Sequence, residues 1–372
     1  MESSSSARAW GHASWAPKSH YCSSRASGYP SKATCSRAAR RRLTSFSVRY
    51  LVTGGAGFIG SHLVEALLEA DNEVAVLDSL TTGRLSNLGA VLRHPHFEFT
   101  QGSVLDELAV DRAVSACDVV VHLAAAVGVK LIVEQPLYSL TTNIKGAITV
   151  IEAAHRYRRK VVVASSSEIY GKNNTGPLHE QSDRILGSPA VARWAYSTSK
   201  AVDEILAYAY YRERGLPTTV VRLFNTVGPR QSAAYGMVIP RFVRQALCGE
   251  PLTVYGDGTQ TRCFCHVADV VDALMQLLRE PGAAGEVFNI GSGEEISIRS
   301  LAELVIERTL SSSEVVYLPY EVAYEVGFED MARRVPDTGK IHSLTGWGPT
   351  RRLNDILDDV VAEVRAEATL RP

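Results

Sequence analysis

Three observations predict an α/β fold built on a doubly wound parallel sheet. From Val48 onward, short β-branched runs alternate with longer amphipathic segments. The runs are apolar throughout, as strands buried on both faces must be. The first run ends in a glycine-rich turn that opens a helix. The runs near 48–53, 73–78, 97–101, 119–124, 161–166 and 218–224 read as successive strands with helices between them. Right-handed crossovers then place helices on both faces of one sheet.

After Gly228 the rhythm changes. The pattern predicts a helix over 237–249, strands over 252–256 and 261–265, a helix over 268–279, a strand over 286–290, and helices over 297–309 and 352–366. Residues 48–228 are thus expected to form the large sheet domain. Residues 229–372 form a smaller mixed α/β part, with some segments returning to the sheet. Gly228-Pro229 reads as punctuation rather than as a linker.

Composition bounds the function classes. Among 372 residues, 39 are basic and 40 acidic, giving a net charge of −1 and no sign of a nucleic-acid binder. Residues 1–47 depart from this balance, with eight Lys/Arg against Glu2 alone. That head is Ser-rich and aperiodic, and it lacks the apolar run of a secretory signal. It is expected to be a disordered or non-native extension outside the fold, although an organellar transit peptide has a similar composition. The apolar stretch Val119–Val129 is broken by His122 and falls short of the roughly 20 residues that span a bilayer, so no membrane association is expected. Six cysteines without a CxxC pair suit a cytoplasmic protein with reduced thiols. Cys263 and Cys265 alternate on one face of an apparent strand and no second ligand cluster accompanies them and His266, so no metal site is expected.

The turn reads Gly54-Gly55-Ala56-Gly57-Phe58-Ile59-Gly60, a Rossmann-type fingerprint. Gly54, Gly57 and Gly60 allow a tight turn and close approach of a pyrophosphate, and the helix that follows offers free N–H groups to it. Asp78 ends the second strand 24 residues after Gly54, where a carboxylate binds ribose hydroxyls and repels a 2′-phosphate. The cofactor expected is therefore NAD. Tyr196 and Lys200 lie four apart on one helix face, so an ammonium stands beside a phenol that could serve as a base. The fifth strand ends in Ser165-Ser166-Ser167, at the sheet edge where open α/β folds bind ligands.

The chain resembles the extended short-chain dehydrogenase/reductase family, in particular its nucleotide-sugar epimerases, decarboxylases and dehydratases. The motifs that carry the resemblance are TGGAGFIGSH at 53–62, HLAA at 122–125, the Asn-Ile-Lys-Gly run at 143–146, SSSEIYG at 165–171, YSTSK at 196–200, RLFNTVGPRQ at 222–231 and GEPLTVYGDGTQTRCF at 249–264. It implies an NAD that is reduced and reoxidised within each turnover and a UDP-sugar held by the second half. On this resemblance Tyr196 is the base, Lys200 binds the nicotinamide ribose, and Ser166 or Ser167 holds the sugar 4-hydroxyl. The cofactor set adds Phe58, Ile59, Ser103, Leu123, Ala124, Ala125, Asn143 and Ser165 to the glycines and Asp78. Asn225 is expected near the diphosphate or sugar, Thr253 and Tyr255 at the nucleobase, and Arg262 on the diphosphate. Val238, Arg230 and Arg241 complete the substrate set. A homodimer through helices near 137–156 and 194–214 is implied in the same way.

The motifs favour 4-epimerisation, of UDP-glucuronate ahead of UDP-glucose, because YSTSK and RLFNTVGPRQ resemble the epimerase branch and small serines leave room for a 4-keto ring to turn. Decarboxylation of UDP-glucuronate is the alternative, resting on Ser166-Ser167-Glu168 and the QTRCF stretch. A 4,6-dehydratase is disfavoured because Ser167 stands where such enzymes carry an Asp acid. A noncatalytic NAD-binding sensor is disfavoured by the intact Tyr196 and Lys200. Ser232 stands where the uronate epimerases resembling this chain have a carboxylate-binding Arg.

Overall fold

The computed structural model describes residues 47–369 apart from 129–130, 132–133, 192, 233–236, 320–330 and 332. The extension expected over 1–47, with Cys22 and Cys35, lies outside the described residues except for Ser47.

The first half runs β1 (Arg49–Thr53), α1 (Phe58–Glu69), β2 (Glu73–Asp78), β3 (Phe97–Gln101), α2 (Glu107–Ser115), β4 (Val119–His122), α3 (Pro136–Leu140), α4 (Gly146–Tyr157), β5 (Lys160–Ser166), α5 (Arg193–Arg214) and β6 (Thr218–Leu223). It continues through β7 (Thr226–Val227), α6 (Val238–Leu247), β8 (Leu252–Tyr255), β9 (Thr261–Cys263), β10 (Cys265–His266), α7 (Val267–Arg279), β11 (Val287–Ile290), β12 (Glu295–Ser297), α8 (Ile298–Thr309), β13 (Val315–Leu318), α9 (Gly339–Thr345) and α10 (Leu353–Thr369). Seven strands form one parallel sheet in the order β11-β6-β5-β4-β1-β2-β3.

The continuous apolar runs explain its burial on both sides, because alternate residues of a strand face opposite ways. Val52, Val121, Val162 and Val221 pack with Leu63 and Leu67 of α1 and with Val270, Leu274 and Leu277 of α7. Their neighbours Leu51, Val120, Val161, Val163 and Val220 pack on the opposite side with Val110 and Val114 of α2, Val150 and Ile151 of α4, and Ala207 of α5. A separate core gathers Phe242 of α6, Leu252 and Val254 of β8, Leu301 of α8, and Ile356 and Leu357 of α10.

Two elements differ from the sequence pattern, and a third shows which later segment rejoins the sheet. The run 261–265 is two strands: β9 pairs antiparallel with β12, whereas β10 pairs parallel with β7. Phe264 separates them and is buried, and the Cys265 amide donates to the Asn225 carbonyl (3.1 Å), which turns the chain from one partner to the other. The helix expected across 137–156 is interrupted by a π-type turn at Thr141–Lys145. The strand of 286–290 is observed as β11, and it returns to the large sheet beside β6. Among the described residues no helix is long and apolar enough to cross a membrane.

Beneath the sheet's carboxyl edge, Arg222 of β6 is buried with Glu204 of α5. Its Nε and Nη2 donate to the two carboxylate oxygens at 2.9 and 2.7 Å, and its Nη1 donates to the Tyr170 hydroxyl and the Glu180 carbonyl, each at 2.8 Å. Ser165 donates to the same carboxylate (2.5 Å). This lattice fixes β5, β6 and α5 relative to one another. Substituting Arg222→Leu leaves the Glu204 charge buried without its cation and is expected to destabilise the fold by about 3–5 kcal/mol. Urea unfolding checks this, and the Arg222→Leu/Glu204→Leu pair should lose much less.

Candidate active site

Carboxyl ends of β1, β2, β4, β5 and β6 open onto one cavity of about 680 Å³, whose far wall comes from α6, β8 and β9. Its floor is the glycine turn. Gly54 adopts φ +75°, and a Cβ there would stand 2.7 Å from the Ala124 amide. A Cβ on Gly60 would meet the Gly54 carbonyl at 2.2 Å, so only glycine lets α1 start so close to β1. Gly57, Phe58 and Ile59 at the start of α1 line the cavity, presenting the helix N-terminus to a phosphate. Asp78 lies at the rim, accepting from the Ala56 amide (2.9 Å) and the Leu80 amide (2.8 Å). Ser103, Leu123, Ala124, Ala125 and Ser165 also line the wall. Under the turn, His122 shares a hydrogen bond with Thr53 (2.8 Å). Burial and then the Lys200 charge push its pKa down to about 3, so the ring is neutral.

Two expected residues stand behind the wall rather than in it. Asn143 sits in the π-type turn, accepts from the Ala126 amide (2.8 Å) and donates to Ser199 of α5 (3.3 Å), and so braces the wall from outside. Thr253 spends its polar groups on Gln245 (3.1 and 3.3 Å).

Tyr196 is buried in the first turn of α5, with a side-chain hydrogen bond to Ser166. Its pKa is raised: burial outweighs the lowering by Lys200, while Glu168 and Asp203 add to the rise. The sequence pattern pointed to a phenol lowered by its neighbouring ammonium; in this chain burial wins. Lys200 Nζ donates to the Ala164 carbonyl (2.9 Å) and to Asp203 (3.1 Å). Burial disfavours its charge, but Asp203 and then Tyr196 more than compensate, and its pKa is raised.

Glu168 follows β5 in a short 3-10 turn capped by the Ser166 hydroxyl. Arg334 Nη1 donates to it at 2.6 Å, and Arg193 Nη2 lies 3.4–3.5 Å from its two oxygens. Burial works to raise its pKa, but Arg193 and Arg334 overcome that and hold it down to about 2. Glu168 is therefore a carboxylate at neutral pH. Arg334 Nη2 also donates to Asn225 Oδ1 (2.8 Å), and Asn225 Nδ2 donates to the Cys263 carbonyl (2.8 Å). Neither arginine was singled out from the sequence. For Arg193 there is a signal, since it precedes Tyr196 by one helical turn. Arg334 reaches the site because 335–337 runs beside Leu178, with the Leu178 amide donating to Val335 and the Asp337 amide to Leu178, each at 2.8 Å. No local pattern encodes that.

The remaining expected cations are well tethered. Arg262 donates to the Thr261 (2.8 Å) and Met331 (2.7 Å) carbonyls. Arg241 stacks over Tyr255 at 4.5 Å and donates to the Thr253 carbonyl (3.0 Å). Arg230, at φ +69°, grips Glu65 of α1 (2.8 and 2.9 Å). Together with Val238 these groups form the far side of the cavity.

A dinucleotide cradle joined to a buried Tyr-Lys pair is the arrangement of an NAD-dependent enzyme. The profile of the NAD dependent epimerase/dehydratase family matches residues 50–291, and the chain belongs to that family. It is 41% identical to a UDP-N-acetyl-alpha-D-glucosaminuronate decarboxylase of Bacillus cytotoxicus, over 81% of this chain and 92% of that one. It is 37% identical to UDP-glucuronic acid decarboxylase 5 of Arabidopsis thaliana, over 83% and 87%. Among solved structures it resembles the UDP-glucose 4-epimerase of Thermus thermophilus in complex with NAD, with a TM-score of 0.75, 32% identity and coverage of 85% and 99%. NAD is the cofactor of this site, and the glycine cradle and Asp78 fit it.

Two outcomes are expected. Tyr196→Phe should retain bound NAD while losing turnover at least about 10²-fold, as absorbance and product assays can show. Glu168 is held below the ordinary carboxylate range, so its contribution to stability is complete above that range and is lost as pH falls toward about 2. The stability difference between wild type and Glu168→Gln should therefore shrink as pH is lowered from about 6 to about 3 in denaturant titrations.

Proposed function

We propose that the protein decarboxylates a UDP-linked uronic acid. The observation that carries this is the buried Glu168 carboxylate between Arg193 and Arg334, on the cavity wall that also holds Tyr196 and Ser166. An epimerase has no need of such a cluster, and the curated relatives named above support the same reading. The sequence motifs place 4-epimerisation first; the arginines brought to Glu168 reverse that order.

Bound NAD supplies a hydride acceptor at C4 and a positive charge near the phenol. Tyr196 accepts the 4-hydroxyl proton, and the Ser166 hydroxyl holds the same oxygen. A 4-keto uronate is a β-keto acid, so the C5–C6 bond breaks with its electron pair drawn into the C4 carbonyl as carbon dioxide leaves. Tyr196 and Ser166 are the donors placed to stabilise the oxygen charge that develops there. Glu168 remains ionised and so is no proton donor; its charge opposes the substrate carboxylate and is relieved of that repulsion when carbon dioxide departs. A proton then reaches C5 and the hydride returns to C4, which leaves a UDP-pentose from a glucuronate and conserves the cofactor.

The test is to incubate the protein with UDP-glucuronate and, separately, with UDP-N-acetylglucosaminuronate, and to read product mass and C4 proton coupling. Loss of the mass of carbon dioxide from either is the expected result. An isomer of unchanged mass would instead establish the 4-epimerase, which the small Ser165–Ser167 side chains leave room for.

A further inference from the structure

We propose that Asp203 is the positioning residue of the Tyr196–Lys200 pair: it holds the Lys200 ammonium in place and sets the pH range in which the pair works. The inference goes beyond the decarboxylase reading, because any reaction that Tyr196 opens at the 4-hydroxyl uses the same pair. Tyr196, Lys200 and Asp203 are residues i, i+4 and i+7 of α5, so they share one side of that helix with the lysine between the other two. Lys200 Nζ donates to the Ala164 carbonyl of β5 and to Asp203 Oδ2, at 2.9 and 3.1 Å. An ammonium has three N–H groups, and these two bonds leave one for the cavity that Lys200 lines.

Asp203 is not placed as a scaffold residue. Its side chain has no exposed surface, and its second oxygen, Oδ1, has no hydrogen-bond partner among the described residues. A carboxylate buried for scaffolding would satisfy both oxygens, as the next residue does: Glu204 accepts from Arg222 at both of its oxygens and from Ser165. Asp203 instead leaves one oxygen unpaired, at a cost in stability, and directs its charge at Lys200. That charge has a use. Lys200 and an oxidised nicotinamide are two cations that both favour the phenolate, and a phenolate held too firmly is a weak base. Asp203 offsets them, raising the pH at which Tyr196 and Lys200 release their protons. From the elements packed against α5, the groups facing the pair are paired or neutral. Glu168, in the turn after β5, lies between Arg193 and Arg334; Arg222 of β6 holds Glu204; and His122 of β4 is a neutral ring.

The test reads Tyr196 directly and needs no substrate. Ultraviolet absorbance of the NAD-loaded protein is titrated against pH with and without Tyr196→Phe, and the difference isolates the Tyr196 phenolate from the other tyrosines. The same difference is then taken in an Asp203→Asn background, isosteric but uncharged, and in an Asp203→Ser background. At a given pH the ratio of phenolate to phenol should rise about threefold or more in these backgrounds, the effect of removing one nearby negative charge. Asp203→Glu, which restores the charge, should move the titration back toward wild type. With UDP-glucuronate as substrate, both limbs of the rate's pH dependence should move to lower pH in Asp203→Asn, because the limbs belong to the pair. A scaffold role would lower the rate at every pH and leave limbs and titration in place. That result overturns the proposal, as does a titration displaced to higher pH or the failure of both uncharged variants to fold and hold NAD. If carbon dioxide is released from UDP-glucuronate and the titration is unmoved, the role of Asp203 fails alone. If the titration moves and no carbon dioxide appears from either uronate, the role of Asp203 stands and the decarboxylase reading falls.

Discussion

A carboxylate taken out of water must be paired, and Glu168 meets that demand with two arginines, one 25 and the other 166 residues further along the chain. One opens the catalytic helix α5, and the other belongs to a segment near the carboxyl end that is held beside Leu178. The pairing therefore does more than neutralise a charge. It links the first residue of α5 to the turn that follows β5, beside the hydrogen bond between Tyr196 and Ser166. Asn225, which shares Arg334, extends the same chain of contacts to Cys263 and thus to the wall beyond.

Tyr196 illustrates how a cofactor and a protein divide one task. Burial raises the phenol's pKa against the pull of Lys200, so the protein alone leaves it protonated. On the mechanism proposed above, a cationic nicotinamide would supply the missing charge, so the base would form only with the oxidised cofactor in place. Asp203 contributes in the opposite sense, since it holds the Lys200 ammonium at 3.1 Å and also raises the tyrosine.

Those parts of the site that depend on local geometry were legible in the sequence. The glycine turn is read directly because a Cβ at Gly54 or Gly60 would collide with backbone, and the Tyr-Lys pair because four residues make one helical turn. The alternating core was legible for the same reason, with Leu51 and Val52 sent to opposite faces by the pleat. What escaped was set at long range. Arg334 is 166 residues from Glu168, and the pairing of Leu178 with the 335–337 segment helps bring it there. The break between β9 and β10 escaped because each strand is chosen by a different partner. Asn143 and Thr253 carried plausible side chains in the right motifs, but their polar groups are spent on neighbouring structure. The preference for epimerisation had the same origin: the motifs around Tyr196 were visible, and the charges gathered around Glu168 were not.

The return of β11 to the large sheet has a consequence for dissection of the chain. Because β11 supplies the seventh strand, cutting the polypeptide at Gly228 would leave β6 with its backbone donors and acceptors bare along one side. Such an edge invites pairing with another chain. The face that α7 covers would be stripped as well, exposing Val52, Val121 and Val162. The segment before Gly228 is thus no free-standing module. Its sheet is closed by β11, which is translated after α6, β8, β9 and α7, so the segments on either side of Gly228 must mature together.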